Sequence, residues 1–190
     1  MIMSIIKRVI IVGASASGKD YLLRKFIDGG FSGCLKCTSR PIRPREEQGV
    51  DYNYISDSEF IFGVENKVFL THESFDVSSD GINYTKWYYG ITHKEFESST
   101  VLIMTPGELK NLSSNDRAES YIIYLKIDRS IREIRYSKRN DNNDSIKRRM
   151  DSDDKDFENF NDYDLLVTDA KFDYDDILKN IKKYENYLHI

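Results

Sequence analysis

The stretch Arg8–Ile27 reads RVIIVGASASGKDYLLRKFI, and its reading decides the fold class. The run Val9–Val12 is apolar without alternation, as in a parallel strand buried on both faces. Leu22, Leu23, Phe26 and Ile27 recur at helical spacing, and Gly29 and Gly30 follow as a stop signal. Between strand and helix stands GASASGK, the pattern G-x-x-x-x-G-K in the strand–turn–helix setting where it has a mechanism. Such a turn aims successive backbone N–H groups at phosphate oxygens, and the helix start adds partial positive charge. Gly13, Ala14, Ser15, Ala16, Ser17, Gly18, Lys19 and Asp20 are therefore the candidate residues for a nucleotide triphosphate, with ATP expected as co-substrate. Lys19 would reach the β- and γ-phosphates.

The residue after that lysine is usually Ser or Thr, whose hydroxyl meets a magnesium ion; here it is Asp20. A carboxylate is a hard oxygen ligand that suits Mg2+ directly or through water. Negative charge is also favoured in the first turn of a helix. Asp20 is thus the candidate metal residue, and Mg2+ the expected cofactor. The variant SGKD is similar to that of some phage deoxynucleotide kinases and of ribose bisphosphate kinases.

The remaining chain supports one α/β unit. At 190 residues it is long enough for a substantial core. Further buried runs lie at Thr100–Met104, Tyr121–Ile127 and Tyr163–Thr168, with helical patterns between and after them. Alternating strands and helices predict a parallel sheet covered on both faces. The formal net charge of −4 provides no overall basic field for nucleic acid or membrane, and no apolar run approaches a bilayer span of ~20 residues. The N-terminal apolar run leads directly into the phosphate turn, so it is read as a core strand, not a cleaved leader. Cys34 and Cys37 form a single C-x-x-C with no second pair, which suits two small strand residues in a reducing cytoplasm. The acidic run Asp151–Asp162 is read as a solvated face or loop.

Residues 34–97 break the rhythm. They are rich in Tyr, Phe, Ser and Asp, and the alternation in VDYNYI and INYTKWYYG predicts antiparallel strands in an inserted lobe. Within it, Thr38–Ile55 reads TSRPIRPREEQGVDYNYI. Arg40 and Arg43 flank a proline-stiffened turn, with Arg45 just after, and arginine forks match phosphate oxygens. Tyr52 and Tyr54 can share one face of a strand.

These residues together resemble the guanylate kinases along nearly the whole chain. That family follows its phosphate turn with S/T-x-T-T-R-x-x-R-x-G-E-x-x-G-x-D-Y, and CTSRPIRPREEQGVDY keeps Arg40, Arg43, Glu46, Gly49, Asp51 and Tyr52 in register. YYG recurs as Tyr88, Tyr89 and Gly90. The segment IRYSKRNDNNDSIKRR places Arg135, Arg139 and Arg149 on the family's lid arginines, and YDLLVTD, ending at Asp169, is similar to its YDYVIVND.

The resemblance implies a P-loop three-layer αβα core, residues 1–33 and 98–190, with a helical lid near 136–150 and an acceptor lobe at 34–97. It implies that Lys19, Arg135, Arg139 and Arg149 surround a transferred phosphoryl group. Arg40, Arg43, Tyr52 and Tyr89 would hold the acceptor's phosphate. The implied activity is phosphoryl transfer from ATP to (d)GMP or a related nucleoside monophosphate, in a cytoplasmic monomer or homodimer. Partners would be small nucleotides, with no nucleic acid and no membrane. At the base-reading positions the chain departs from the family: Lys36, Thr71 and Ile91 stand where serine, glutamate and serine or threonine are usual. Glu73 or Asp76 are the carboxylates near enough in sequence to replace the glutamate. The family's D-I-D becomes Ile103–Pro106. Two alternatives follow: a sugar-phosphate kinase like the ribose bisphosphate kinases, and a catalytically silent binding module of guanylate kinase type.

Overall fold

The computed structural model describes residues 6–44, 46–78, 82–138 and 145–188. Arg45 and Arg139 lie outside the described residues. The core sheet is parallel, in the order β6-β1-β7-β8. Its strands are β1 (Arg8–Gly13), β6 (Val101–Ile103), β7 (Ser120–Leu125) and β8 (Leu165–Val167). β1 is buried at every residue and pairs with β7 from Arg8↔Ser120 to Gly13↔Leu125. A central strand with both faces covered is what the unbroken apolar run of Val9–Val12 requires.

Alternation along β1 divides the core. Val9 and Ile11 pack with Leu22 and Phe26 of α1 (Lys19–Asp28) and with Ile177 and Ile181 of α8 (Tyr174–Leu188). Ile10 and Val12 face the other way, against Phe96 of α3 (His93–Ser98) and Leu109 of α4 (Pro106–Leu109). The result is three layers with the phosphate turn at the carboxyl end of the middle strand, where ligands of open α/β sheets bind.

The second sheet is built from β2 (Cys37–Thr38), β3 (Asn53–Tyr54), β4 (Phe69–Val77) and β5 (Thr85–Thr92), in the order β3-β2-β5-β4. β4 and β5 form the predicted antiparallel pair, in register from Thr71↔Ile91 to Val77↔Thr85. β3 is a correction: it pairs parallel to β2, because the long connection after Thr38, with Gly49 at φ 78° within it, carries the chain back to the starting end of β2 before β3 begins. α2 (Asp57–Glu65) closes this sheet from below. Its start is fixed by a capping box of Ser56 and Glu59, and Phe60 stacks 4.5 Å from Phe69. Cys34 and Cys37 are both free thiols. Burial pushes the Cys34 thiol up to about 12, so it is not a reactive thiolate.

Two helices complete the rim of the cleft. They are α6 (Arg129–Ser137) and α7 (Ile146–Phe157). Arg132 of α6 reaches Asp153 at 3.6 Å and Asp154 at 2.8 Å on α7. Among the described residues, no helix is long and apolar enough to cross a membrane.

Candidate active site

The phosphate turn is tight. A Cβ at Gly13 would stand 2.6 Å from Ser17 Oγ and 2.9 Å from Leu125 O, so glycine is needed there. Ala16 and Gly18 have φ of 61° and 106°, left-handed conformations that reverse the chain within the turn. Lys19 Nζ donates to Ala14 O at 2.9 Å, folding the side chain over the turn. Ser17 Oγ is buried with no hydrogen-bond partner among the described residues.

Beside the turn opens a cleft of about 520 Å³, lined in part by Gly18, Asp20, Tyr21, Arg135 and Phe172. Asp20 stands exposed in the first turn of α1. Among the described residues no cluster of three or more His, Cys, Asp or Glu could hold an ion. The Asp20 carboxylate is a hard oxygen donor, a chemistry that fits a magnesium ion.

The arginines divide by task. Arg135 donates from Nη1 to Ala16 O (3.3 Å) and Ser17 O (3.2 Å), and from Nη2 to Ala170 O (2.8 Å). It braces the turn from α6. Arg149, on α7, donates from Nε to Ser15 Oγ at 2.7 Å, and its guanidinium lies 5.5 Å from the Phe75 ring. Phe75 belongs to β4, so one side chain touches both the phosphate turn and the second sheet.

Beside the second sheet, Arg40 is 2% exposed and is held by Glu46 through both oxygens, at 2.8 and 3.0 Å. Its guanidinium lies 5.3 Å from the Tyr52 ring and 5.5 Å from the Tyr54 ring. Arg40 Nε is buried without a hydrogen-bond partner among the described residues. Arg43 donates its backbone N–H to Glu46 at 2.9 Å, so Glu46 organises both arginines. Burial would raise the Glu46 pKa, but hydrogen bonds from Arg40, Tyr54 and Arg43 outweigh it and hold it at about 2. Tyr52 and Tyr89 meet edge-on at 6.1 Å. Burial pushes the Tyr52 hydroxyl above its ordinary range, and the charge of the Asp20 carboxylate adds to this.

The three base-reading candidates are committed elsewhere. Lys36 donates to both Glu108 oxygens at 2.7 and 2.8 Å and to Ile103 O at 3.3 Å. Thr71 is 2% exposed and accepts from Asn111 Nδ2 at 3.0 Å. Ile91 is fully buried in the core on the α3–α4 side and is not a cleft residue, a correction with a packing cause. Asp76 is an exposed residue paired with Lys86 at 3.8 Å, whereas Glu73 lies on the same face as Thr71 and accepts from Thr105 Oγ1 at 2.8 Å. Burial raises the Glu73 pKa, and the nearby charge of Glu108 raises it further.

Two residues of this region escape a reading of the sequence. Glu108 caps α4 and neutralises Lys36; its signal was the T-x-x-E spacing of Thr105–Glu108. Asp153 was placed on a solvated face, yet it is 5% exposed and accepts from the Ser15 amide at 2.8 Å. Its signal was helical spacing, since it lies one turn beyond Arg149 and Met150, which is fully buried.

Known proteins share this architecture. The family model described as guanylate kinase matches residues 6–186. A guanylate kinase of Legionella pneumophila (strain Paris) is 24% identical over 173 residues, covering 86% of this chain and 78% of that protein. One from Bacteroides thetaiotaomicron is 34% identical over 95 residues, 48% of this chain and 42% of its own length. In fold, the chain is similar to the crystal structure of guanylate kinase from Anaplasma phagocytophilum, with a TM-score of 0.71 at 16% identity, covering 97% of this chain and 89% of the other. Because the match spans nearly all of its length, the chain belongs to the guanylate kinase family, whose members are phosphotransferases.

Proposed function

We propose that this chain transfers the γ-phosphoryl group of ATP to the phosphate of a small acceptor, with (d)GMP or a related nucleoside monophosphate as the first class to test. One observation carries the reading: Arg149 reaches the phosphate turn through Ser15 and the second sheet through Phe75, so donor and acceptor sides share one cleft. Moving a phosphoryl group between two polyanions needs position and positive charge more than a covalent nucleophile. Lys19 and the turn amides would take the donor's phosphates. Arg40 Nε, Arg43, Tyr52 and Tyr89 would hold the acceptor's phosphate, and Arg149 would neutralise the group in transit. Arg139 belongs to this set by resemblance. Asp20 would hold a magnesium ion, whose chemistry there would be neutralisation of phosphate charge.

A second reading has its own support. Lys36, Thr71 and Ile91 are withdrawn into internal contacts, which favours an acceptor recognised without those three positions, such as a sugar phosphate. Incubation with MgATP and a panel of nucleoside monophosphates and phosphorylated sugars, followed by ADP release, separates the two. Turnover with a nucleoside monophosphate supports the first reading, and turnover with a phosphorylated sugar alone supports the second. No ADP above background with any acceptor would overturn both.

A further inference from the structure

Asp153 is a carboxylate buried against the Ser15 amide of the glycine turn. Two hydrogen bonds reach it and a third continues from Ser15 to Arg149. Ser15 donates its backbone N–H to Oδ2 at 2.8 Å and its hydroxyl to Oδ1 at 3.3 Å, while Arg149 Nε donates to that same hydroxyl at 2.7 Å. The order matters. A serine hydroxyl has one proton. Once that proton points at Asp153, the oxygen presents lone pairs, and Arg149 Nε takes one. Arg149 and Asp153 stand 3.7 Å apart one helical turn from each other, and Arg132 of α6 approaches the carboxylate from the opposite side at 3.6 Å. Arg132, Arg149 and Ser15, with Asp154 and Asp156 on its own helix, are among the charged and polar groups around it.

We propose that Asp153 is a positioning residue for phosphoryl transfer. Through Ser15 it fixes Arg149 by Nε, so that the two Nη groups, which make no hydrogen bond among the described residues, are held over Phe75 as the fork that meets the transferred phosphate. The proposal rests on the kinase reading above, but its physical core is a statement about one side chain's orientation. An ion pair alone would not need Ser15. The relay does, because it sets which partner of the hydroxyl donates.

D153N keeps the shape and reverses one hydrogen bond, since an amide N–H would then face the hydroxyl. S15A removes the hydroxyl and leaves the backbone contact, so it tests the relay even if D153N fails to fold. Each variant should lower kcat roughly ten- to a hundredfold while donor KM moves less than about threefold. The double variant should be no slower than the slower single. A kcat for S15A within about threefold of wild type, or losses that multiply in the double variant, would overturn the proposal. A second measurement needs no turnover. The Arg149 Nε–H resonance, assigned by its loss in R149K, should be slow to exchange in the wild type and broadened by exchange in S15A. Should the wild type phosphorylate no acceptor, the kinase reading fails, and this resonance still decides: persistence in S15A sinks the proposal, and loss upholds it.

Discussion

Gly18 holds a φ of 106°, and the Phe172 ring would stand 3.3 Å from any Cβ placed there. An L-residue in this conformation costs about 1–2 kcal/mol, before Phe172 is displaced from the cleft wall. Gly18→Ala should therefore lower the denaturant midpoint by that order and weaken nucleotide binding as well. Ala16 already carries such strain at φ 61°, but it is buried against Tyr136 and Met150, contacts that offset part of the cost. Glu46 provides a pH-dependent test. Its pKa is about 2 in the folded chain against an ordinary 4.5, so its contribution is complete above 4.5 and is lost as pH falls toward 2. Glu46→Gln should flatten the acid limb of stability across that window, measured by denaturant unfolding at a series of pH values. An unchanged acid limb would mean that Arg40 and Arg43 do not depend on this carboxylate. At this scale the phosphate turn was legible because each residue obeys local backbone rules. Asp153 was not, because five acidic residues within Asp151–Glu158 read as a solvated face, and only a distant partner, the Ser15 amide, explains why one is buried.

The helix pair α6–α7 shows which charges matter. Arg132 is 5% exposed and serves Asp153, Asp154, the Ile127 carbonyl and Met150 Sδ. Arg129 is more open and meets Glu133, Asp151 and Asp154 near the surface. Removing one member of a buried pair leaves an uncompensated charge and costs about 3–5 kcal/mol, whereas exposed pairs contribute little. Arg132→Ala should thus unfold the chain at clearly lower temperature and raise hydrogen exchange along α7, while Arg129→Ala should melt close to wild type. Equal effects would show that the web acts as one unit. The strands of the core were legible as apolar runs, since burial on both faces leaves no room for alternation. The sense of β3 was not, because VDYNYI has the period of any half-buried strand. Its parallel pairing with β2 is imposed by the Cys37↔Asn53 contact across the intervening turn.

At the scale of the molecule, Arg149 links the glycine turn to the second sheet, and each side should contribute its own ligand site. A ligand that binds only the folded state stabilises by RT ln(1 + [L]/Kd), about 2.7 kcal/mol at a hundredfold excess over Kd. For a domain of 150–250 residues that corresponds to a rise in Tm of roughly 5–11 °C. ATP with Mg2+ should produce such a shift in the wild type and little in Lys19→Ala if, as proposed, Lys19 and the turn form the donor side. An accepted monophosphate should shift the wild type, still shift Lys19→Ala, and lose its effect in Arg43→Ala, whose backbone and side chain are organised with Arg40 by Glu46. The crossed pattern is the informative result. A reduction of both shifts by either substitution would mean that the two sides are coupled in the absence of ligand, through Arg149 between Ser15 and Phe75. An ATP shift that survives Lys19→Ala would place the donor outside the glycine turn, and the kinase reading would fall with it.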